Sequence, residues 1–446
     1  MNHKLKIPAY ILLGALILMT DSFLNKFPIV YPDTSTYLAS GMELETPFDR
    51  PITYGLFLRI FSLNGLSLWF VIFFQALILS YVIFLFCKLI LEYKFTNNYF
   101  LVLILILSLF TGVSWSASQL MPDIFTSTGI ISTSLILFGN LRGSRLASLY
   151  VIFFISVAMH MSHILLFTII LIVIFLFRKA IFQEDLLSKR TKQIGIMLLL
   201  TVASIVTMGS AMSKSKHVFF MGSMVEKGIL KSYLDENCKY KKYNLCEYKD
   251  SLPTTFNDFV WKSDSPFQKV GGWKGTKKEF NEIIYATLTD PKYISMHIME
   301  SSKATVRQLV HFKIGDGNGS FLEGTQLYAR VAKYFKRDLL LYTNSKQSQL
   351  NLSFIPVLNI IFTSLIVLSL VIIFLSFLSA KYFSKVNKQI TFLLLFSILI
   401  TAWDCGTFSM VADRFGCKVM WMIPFLSILF LLSKFSKSNT LPKGTE

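Results

Sequence analysis

Leu66-Ser-Leu-Trp-Phe-Val-Ile-Phe-Phe-Gln-Ala-Leu-Ile-Leu-Ser-Tyr-Val-Ile-Phe-Leu-Phe-Cys-Lys-Leu-Ile-Leu91 decides the class of this fold. The run carries one charge, Lys88, close to its end. About 20 apolar residues suffice to cross roughly 30 Å of hydrocarbon as helix. The chain as a whole shares this character. Its 446 residues are 53% hydrophobic and only 16% charged, with a mean hydropathy of +0.55. A soluble chain could not hide that much apolar surface. The 42 Phe suit lipid-facing helices, and the alternating pattern of a membrane barrel is missing. The expected fold is an all-α polytopic membrane protein.

Outward from that run, ten spans are expected, at 7–24, 66–91, 98–117, 124–140, 146–162, 164–178, 193–212, 354–380, 389–405 and 416–434. The first lacks a small-residue cleavage site and is followed by charge, so it reads as a span and not as a cleaved signal. They divide the chain into a membrane part, 1–212, with a first outer loop at 25–65, then a soluble segment, 213–352, and C-terminal membrane helices, 353–446. No internal repeat or low-complexity tract is present.

The short loops set the orientation. Lys4, Lys6, Lys88, Lys94, Arg142, Arg145, Arg178, Lys179, Lys189, Arg190 and Lys192 all fall on one side of ten spans. So do Lys381, Lys385, Lys388, Lys434, Lys437 and Lys443. Cytoplasmic loops concentrate Lys and Arg, which puts both termini inside. The expected location is a bacterial inner (plasma) membrane, with the loops bearing Asp33, Asp123, His163 and Asp413 outside. The net charge of +18 follows partly from this bias. The rest lies in 213–352, where a basic surface beside a membrane meets anionic headgroups or phosphates. Membrane lipids are therefore expected partners, and nucleic acid is not.

The 213–352 segment reads as a small α-rich extracytoplasmic domain. Cys238 and Cys246 are close in sequence in an oxidising compartment, so a disulfide is expected over its rival, a metal pair, which no His or further Cys accompanies. Cys87, Cys405 and Cys417 read as small apolar packing residues. An amphipathic pattern from Lys277 to His311, broken at Asp290-Pro291, offers Tyr293, Ile294, Met296, Ile298 and Met299 to the bilayer interface.

The candidate chemistry gathers at the outer membrane edge, where ionisable groups are costly to hold. Tyr31-Pro-Asp-Thr-Ser-Thr-Tyr-Leu38 follows the first span, and Asp49-Arg-Pro-Ile-Thr-Tyr-Gly-Leu-Phe-Leu-Arg59 follows that. Asp33 reads as a helix N-cap and as a base or metal-holding carboxylate, two roles that are compatible because one residue can start a helix and face a cavity. Asp123, after Met121-Pro122, offers the same two choices at the same level. Paired carboxylates can divide proton transfer and electrostatic work. Arg50 makes a local pair with Asp49 or binds a phosphate. His160 and His163 share a helix face and could hold a lipid phosphate, carry protons, or simply close a hairpin. Arg414 opens a helix, where a cation opposes the dipole. It needs an anion, either the adjacent Asp413 or a phosphate. Arg307 and His311 are further phosphate candidates. A divalent metal ion is the one candidate cofactor. No Walker A loop, dinucleotide fingerprint, His-Glu-x-x-His or Gly-x-Ser-x-Gly occurs, so a soluble nucleotide donor has no support.

Several of these motifs resemble the GT-C superfamily of polytopic glycosyltransferases: Asp33-Thr-Ser-Thr-Tyr-Leu, Arg50-Pro-Ile-Thr-Tyr-Gly-Leu-Phe-Leu, Met121-Pro-Asp, and Ala412-Asp-Arg-Phe with Met422-Ile-Pro-Phe. That resemblance implies a polyprenyl-phosphate-linked sugar donor and a glycan or lipid acceptor at the outer face. It gives Asp33 the role of base or acceptor anchor, with Asp123 assisting. Arg414 and a histidine would hold the donor phosphate. The chain departs from the pattern in lacking a clear acidic pair in one loop. Its outer segment also lies between the seventh and eighth spans instead of at the C-terminus. An envelope polysaccharide polymerase or ligase, leaning on Arg307 and His311, is the first alternative. A transporter or lipid flippase is the second.

Overall fold

The computed structural model describes residues 3–207, 211–378 and 384–435. Lys381, Lys437 and Lys443, and the ends of the expected spans at 193–212 and 354–380, include positions outside the described residues. Among the described residues the chain is helical and has no strand, with one isolated parallel bridge between Ile29 and Gln119. Five helices are long and apolar enough to cross a membrane: Leu68–Leu91, Glu184–Thr207, Ile355–Leu378, Lys385–Phe408 and Asp413–Lys434. The other five expected spans fall on shorter apolar helices: Ile7–Leu18, Asn97–Phe110, Ile124–Phe138, Gly143–Ala158 and Met161–Leu176.

Local chemistry sets several of these boundaries. The third run stops where Thr111 turns extended and its hydroxyl donates to the Leu107 carbonyl at 2.6 Å. Gly112 follows, and a new short helix, Val113–Ser118, begins. The seventh starts at Glu184 and not at 193. Its charged first turns are good helix formers that a hydrophobicity pattern does not register.

Contacts between loops divide the bundle into two ends. At one end Tyr10 donates to Asn98 at 3.2 Å, and Lys94 donates to the Ser433 carbonyl. There too Arg190 reaches the carbonyls of Ile136 and Gly139 at 3.1 and 3.3 Å, and Gln389 reaches that of Ile181. The expected cytoplasmic loops thus meet one another. At the opposite end Ile29 pairs with Ser118 and Leu120 at 2.9 and 2.8 Å. Gln347 brackets Val30 with two bonds at 3.0 and 2.8 Å, and Asp338 accepts from Ser67 and from the Leu68 amide.

The first loop holds two helices, Thr34–Glu43 and Thr53–Phe61. Asp33 meets Arg50, Tyr37 meets Tyr54, and Met42 meets Arg59. This steady offset means that the two helices run parallel. They touch backbone to backbone at glycines, since a Cβ on Gly41 would lie 2.1 Å from the Gly55 oxygen. Small residues allow this kind of close approach.

The 213–352 segment contributes to two cores. Residues from Val218 to Tyr293 form a core of their own, and the Cys238–Cys246 disulfide, with sulfurs 2.07 Å apart, staples its edge. Phe312, Ile314, Leu327, Val331 and Leu352 belong instead to the main helical core. Tyr293 is buried in the smaller core and Met296 packs against it, so neither is a free interfacial residue. Ile298 and Met299 are exposed, as expected. Cys87, Cys405 and Cys417 are unpaired and buried.

Gly41→Val should force the two loop helices apart and destabilise the protein by about 1–3 kcal/mol, the usual cost of overpacking. Gly195→Ala, where an added Cβ meets nothing within 4 Å, should instead be neutral or stabilising by up to about 1 kcal/mol through helix propensity. Thermal unfolding of the two variants in detergent checks the contrast.

Candidate functional site

Asp33 sits immediately before the helix Thr34–Glu43, where an N-cap belongs. Its backbone is already helical, with φ −64° and ψ −24°, and its side chain makes no cap bond. The carboxylate faces two guanidinium groups. Oδ1 accepts from Arg50 Nη2 at 3.2 Å, and Oδ2 accepts from Arg414 Nη1 at 3.1 Å. The parallel helix pair delivers Arg50, which also holds Asp49 and lies over the Tyr37 ring at 5.0 Å. Arg414 comes from the far end of the chain and lies between the rings of Tyr31 and Phe415, at 4.4 and 4.8 Å. Burial alone would raise the Asp33 carboxyl, but the two arginines outweigh it and hold it at about 2.

Asp123 repeats this behaviour. It precedes Ile124–Phe138 with helical backbone and no side-chain cap. Its Oδ1 accepts from Lys418 Nζ at 3.0 Å, and both side chains are buried. Burial pushes its carboxyl up, and Lys418 followed by Arg414 brings it below the ordinary carboxylate range. Lys418 lies one helical turn beyond Arg414, so the two cations project from the same face.

The start of that helix is tied to the last turn of the helix Pro291–Leu309 and to the loop after it. Gln308 makes two bonds with the Ala412 backbone, each at 2.9 Å. Asp316 Oδ2 accepts from the Arg414 amide at 3.0 Å, and Asp413 Oδ1 accepts from the Lys313 amide at 3.0 Å. Asp413 is therefore not the partner of the Arg414 side chain. Asp33 fills that place across 381 residues. Gly317, with φ +67°, lies flat on Tyr31, and a Cβ there would fall 1.8 Å from the ring.

His160 adjoins the Asp123–Lys418 pair. Its Nδ1 bonds to Ser162 Oγ at 2.8 Å. His163 does not offer a phosphate ligand. Its Nδ1 donates to the Ser156 carbonyl at 2.6 Å, which leaves Nε2 to accept from Thr126 at 2.7 Å. Arg307 is exposed and His311 bonds to the Arg307 carbonyl. Neither joins the ionic cluster. Cys238 and Cys246 lie in the separate smaller core.

Lys418, Asp316 and Asp404 were not singled out in the sequence as site residues. Asp404 is buried near Lys418. Lys418 had a readable signal, its i+4 spacing from Arg414 within an apolar helix. Among the described residues no three His, Cys, Asp or Glu side chains come together as a metal site, and both Asp33 oxygens already accept from cations. The donor set does not fit a metal ion.

The cluster therefore holds three carboxylates, Asp33, Asp49 and Asp123, with two guanidinium groups and an ammonium, at the bundle end opposite the basic loops. Such an arrangement can bind an anionic ester and place an acid beside it. No protein-family model, curated protein or solved structure matches the chain.

Lys418→Met should leave Asp123 buried without a cation and destabilise the protein by about 3–5 kcal/mol. Adding Asp123→Asn should recover most of that loss, which thermal unfolding of the single and double variants reads directly. Asp33 carries a pH signature. Its folded value of about 2 lies below the ordinary 3.8, so its contribution is complete above about pH 4 and disappears as pH falls through about 2. The stability gap between wild type and Asp33→Asn should narrow over that interval in acid titrations.

Proposed function

We propose that the chain is an integral membrane glycosyltransferase with ten spans and both termini cytoplasmic. It moves a sugar from a polyprenyl-phosphate donor to an envelope or lipid-linked acceptor at the outer face. The observation that carries this reading is the convergence of Asp33, Arg50 and Arg414 beside Asp123 and Lys418. A lipid phosphate needs cations at the membrane edge and no nucleotide fold, and the cations gathered at one end of the apolar bundle support this reading.

In this reading the donor phosphate takes up the guanidinium of Arg414, with Arg50 nearby. As the bond from the anomeric carbon to the phosphate oxygen breaks, charge grows on that oxygen and the fixed cations stabilise it. Preorganised donors of this kind are worth roughly 10²–10³ in rate each. A carboxylate orients the acceptor hydroxyl on the other side of the sugar. Burial of the cluster keeps these electrostatic effects strong.

A polysaccharide polymerase or ligase built around Arg307 and His311 receives less support, because those residues stand apart from the ionic cluster. A transporter would call for repeated halves, and the sequence has none.

Arg414→Ala and Asp33→Asn, expressed at normal levels in cells lacking the wild-type protein, should each lower the envelope glycan product by about 100-fold or more. Quantified glycan from such cells is the measurement. Wild-type glycan in the Arg414→Ala strain would refute the proposal.

A further inference from the structure

We infer that Asp123, and not Asp33, is the carboxylate that receives the acceptor hydroxyl, in a narrow recess lined by Trp115, Gln119, Asp123, Lys313, Asp316 and Arg414. The inference rests on the glycosyl-transfer reading above and divides the work within that site. The two acids differ in what their oxygens already do. Both oxygens of Asp33 accept from guanidinium groups that approach from opposite parts of the chain. A neutral hydroxyl would have to displace a charged donor there, and charge-assisted bonds are the stronger kind. Asp123 gives only Oδ1 to Lys418, while its Oδ2 is buried and has no hydrogen-bond partner. An unmet carboxylate oxygen in a buried site is expensive, and a hydroxyl arriving from the acceptor meets that need.

A second buried atom without a partner, the Arg414 Nε, belongs to a residue that lines the same recess. The residues around the recess therefore include one with an unused acceptor and one with an unused donor. A sugar hydroxyl beside a phosphoester oxygen has the complementary pair.

The step balances as follows. The acceptor oxygen bonds to the anomeric carbon, and the bond from that carbon to the donor phosphate oxygen breaks. The electron pair leaves on the phosphate, beside Arg414. The hydroxyl proton passes to Asp123 Oδ2 while Lys418 stays on Oδ1. It is lost to water when the products depart. Asp33 acts as a positioning residue that aims Arg50 and Arg414.

The test pairs a binding assay with chemical rescue. Purified protein is titrated with a polyprenyl phosphate, and sugar transfer is followed in native membranes containing the lipid-linked donor. Asp123→Ala should bind the polyprenyl phosphate within about threefold of wild type and lose transfer by about 100-fold or more. Added formate should restore that transfer by about tenfold or more. Asp33→Ala should weaken polyprenyl-phosphate binding and gain nothing from formate. Rescue at Asp33, or its absence at Asp123, overturns the assignment and leaves the glycosyltransferase reading standing. If Asp123→Ala does not accumulate, Asp123→Asn decides: retained binding with lost transfer is expected, and wild-type transfer overturns the role. A wild-type protein that neither binds polyprenyl phosphate nor transfers sugar brings down both proposals.

Discussion

Arg414 enters its helix at the positive end of the macrodipole, and Lys418 follows one turn later on the same face. Two cations inside an apolar bundle demand two carboxylates, because an unpaired buried charge is far costlier than an exposed one. The adjacent acid, Asp413, is engaged elsewhere. The partners come from loops 381 and 295 residues away, Asp33 and Asp123. The C-terminal helix can therefore be buried only if the first loop, the Met121-Pro-Asp123 turn and the start of that helix close on one another.

The surrounding structure makes this closure specific. The Gly41–Gly55 contact sets the parallel helix pair that presents Arg50 to Asp33. Backbone bonds between Ile29 and the 118–120 strand-like stretch hold the Asp33 loop beside the Asp123 loop. The 308–317 segment fastens the Arg414 end through Gln308 and Asp316 and covers Tyr31 through Gly317. Each of these is a short-range device, and their sum is a rigid, low-dielectric cluster in which charges act strongly on an anionic ligand. The charge network thus links folding to the proposed chemistry: the same guanidinium that keeps Asp33 ionised is the one offered to a phosphate.

Much of this was legible in the chain. Apolar runs located the helices because hydrocarbon imposes length and composition together. Basic loops located one end, and Asp33, Asp123, Arg50 and Arg414 stood out as charges beside such runs. The capping role open to both acids is not used, and sequence could not have decided that, since a cap and an ion-pair partner are the same residue type in the same place. Pairing across hundreds of residues leaves no local pattern, so Asp413 seemed as good a partner for Arg414 as any. Lys418 is hard to read as a site residue from sequence because its charge sits among apolar neighbours. Arg307 and His311 stand out by residue type alone, but Arg307 lies on the exposed face of its helix and His311 lies just beyond that helix. The soluble segment read as one unit by its polarity, although Phe312 and Leu352 are anchored in the membrane-helix core.

The central claim is that one outward site unites the N-terminal loop with the C-terminal helix around a phosphate. A structure determined with a polyprenyl phosphate bound tests it most directly. The phosphate should lie within hydrogen-bonding reach of Arg414, with Asp33 and Asp123 facing the same cavity. A phosphate held at Arg307 and His311, or Asp33 and Arg414 on separate faces, would contradict it.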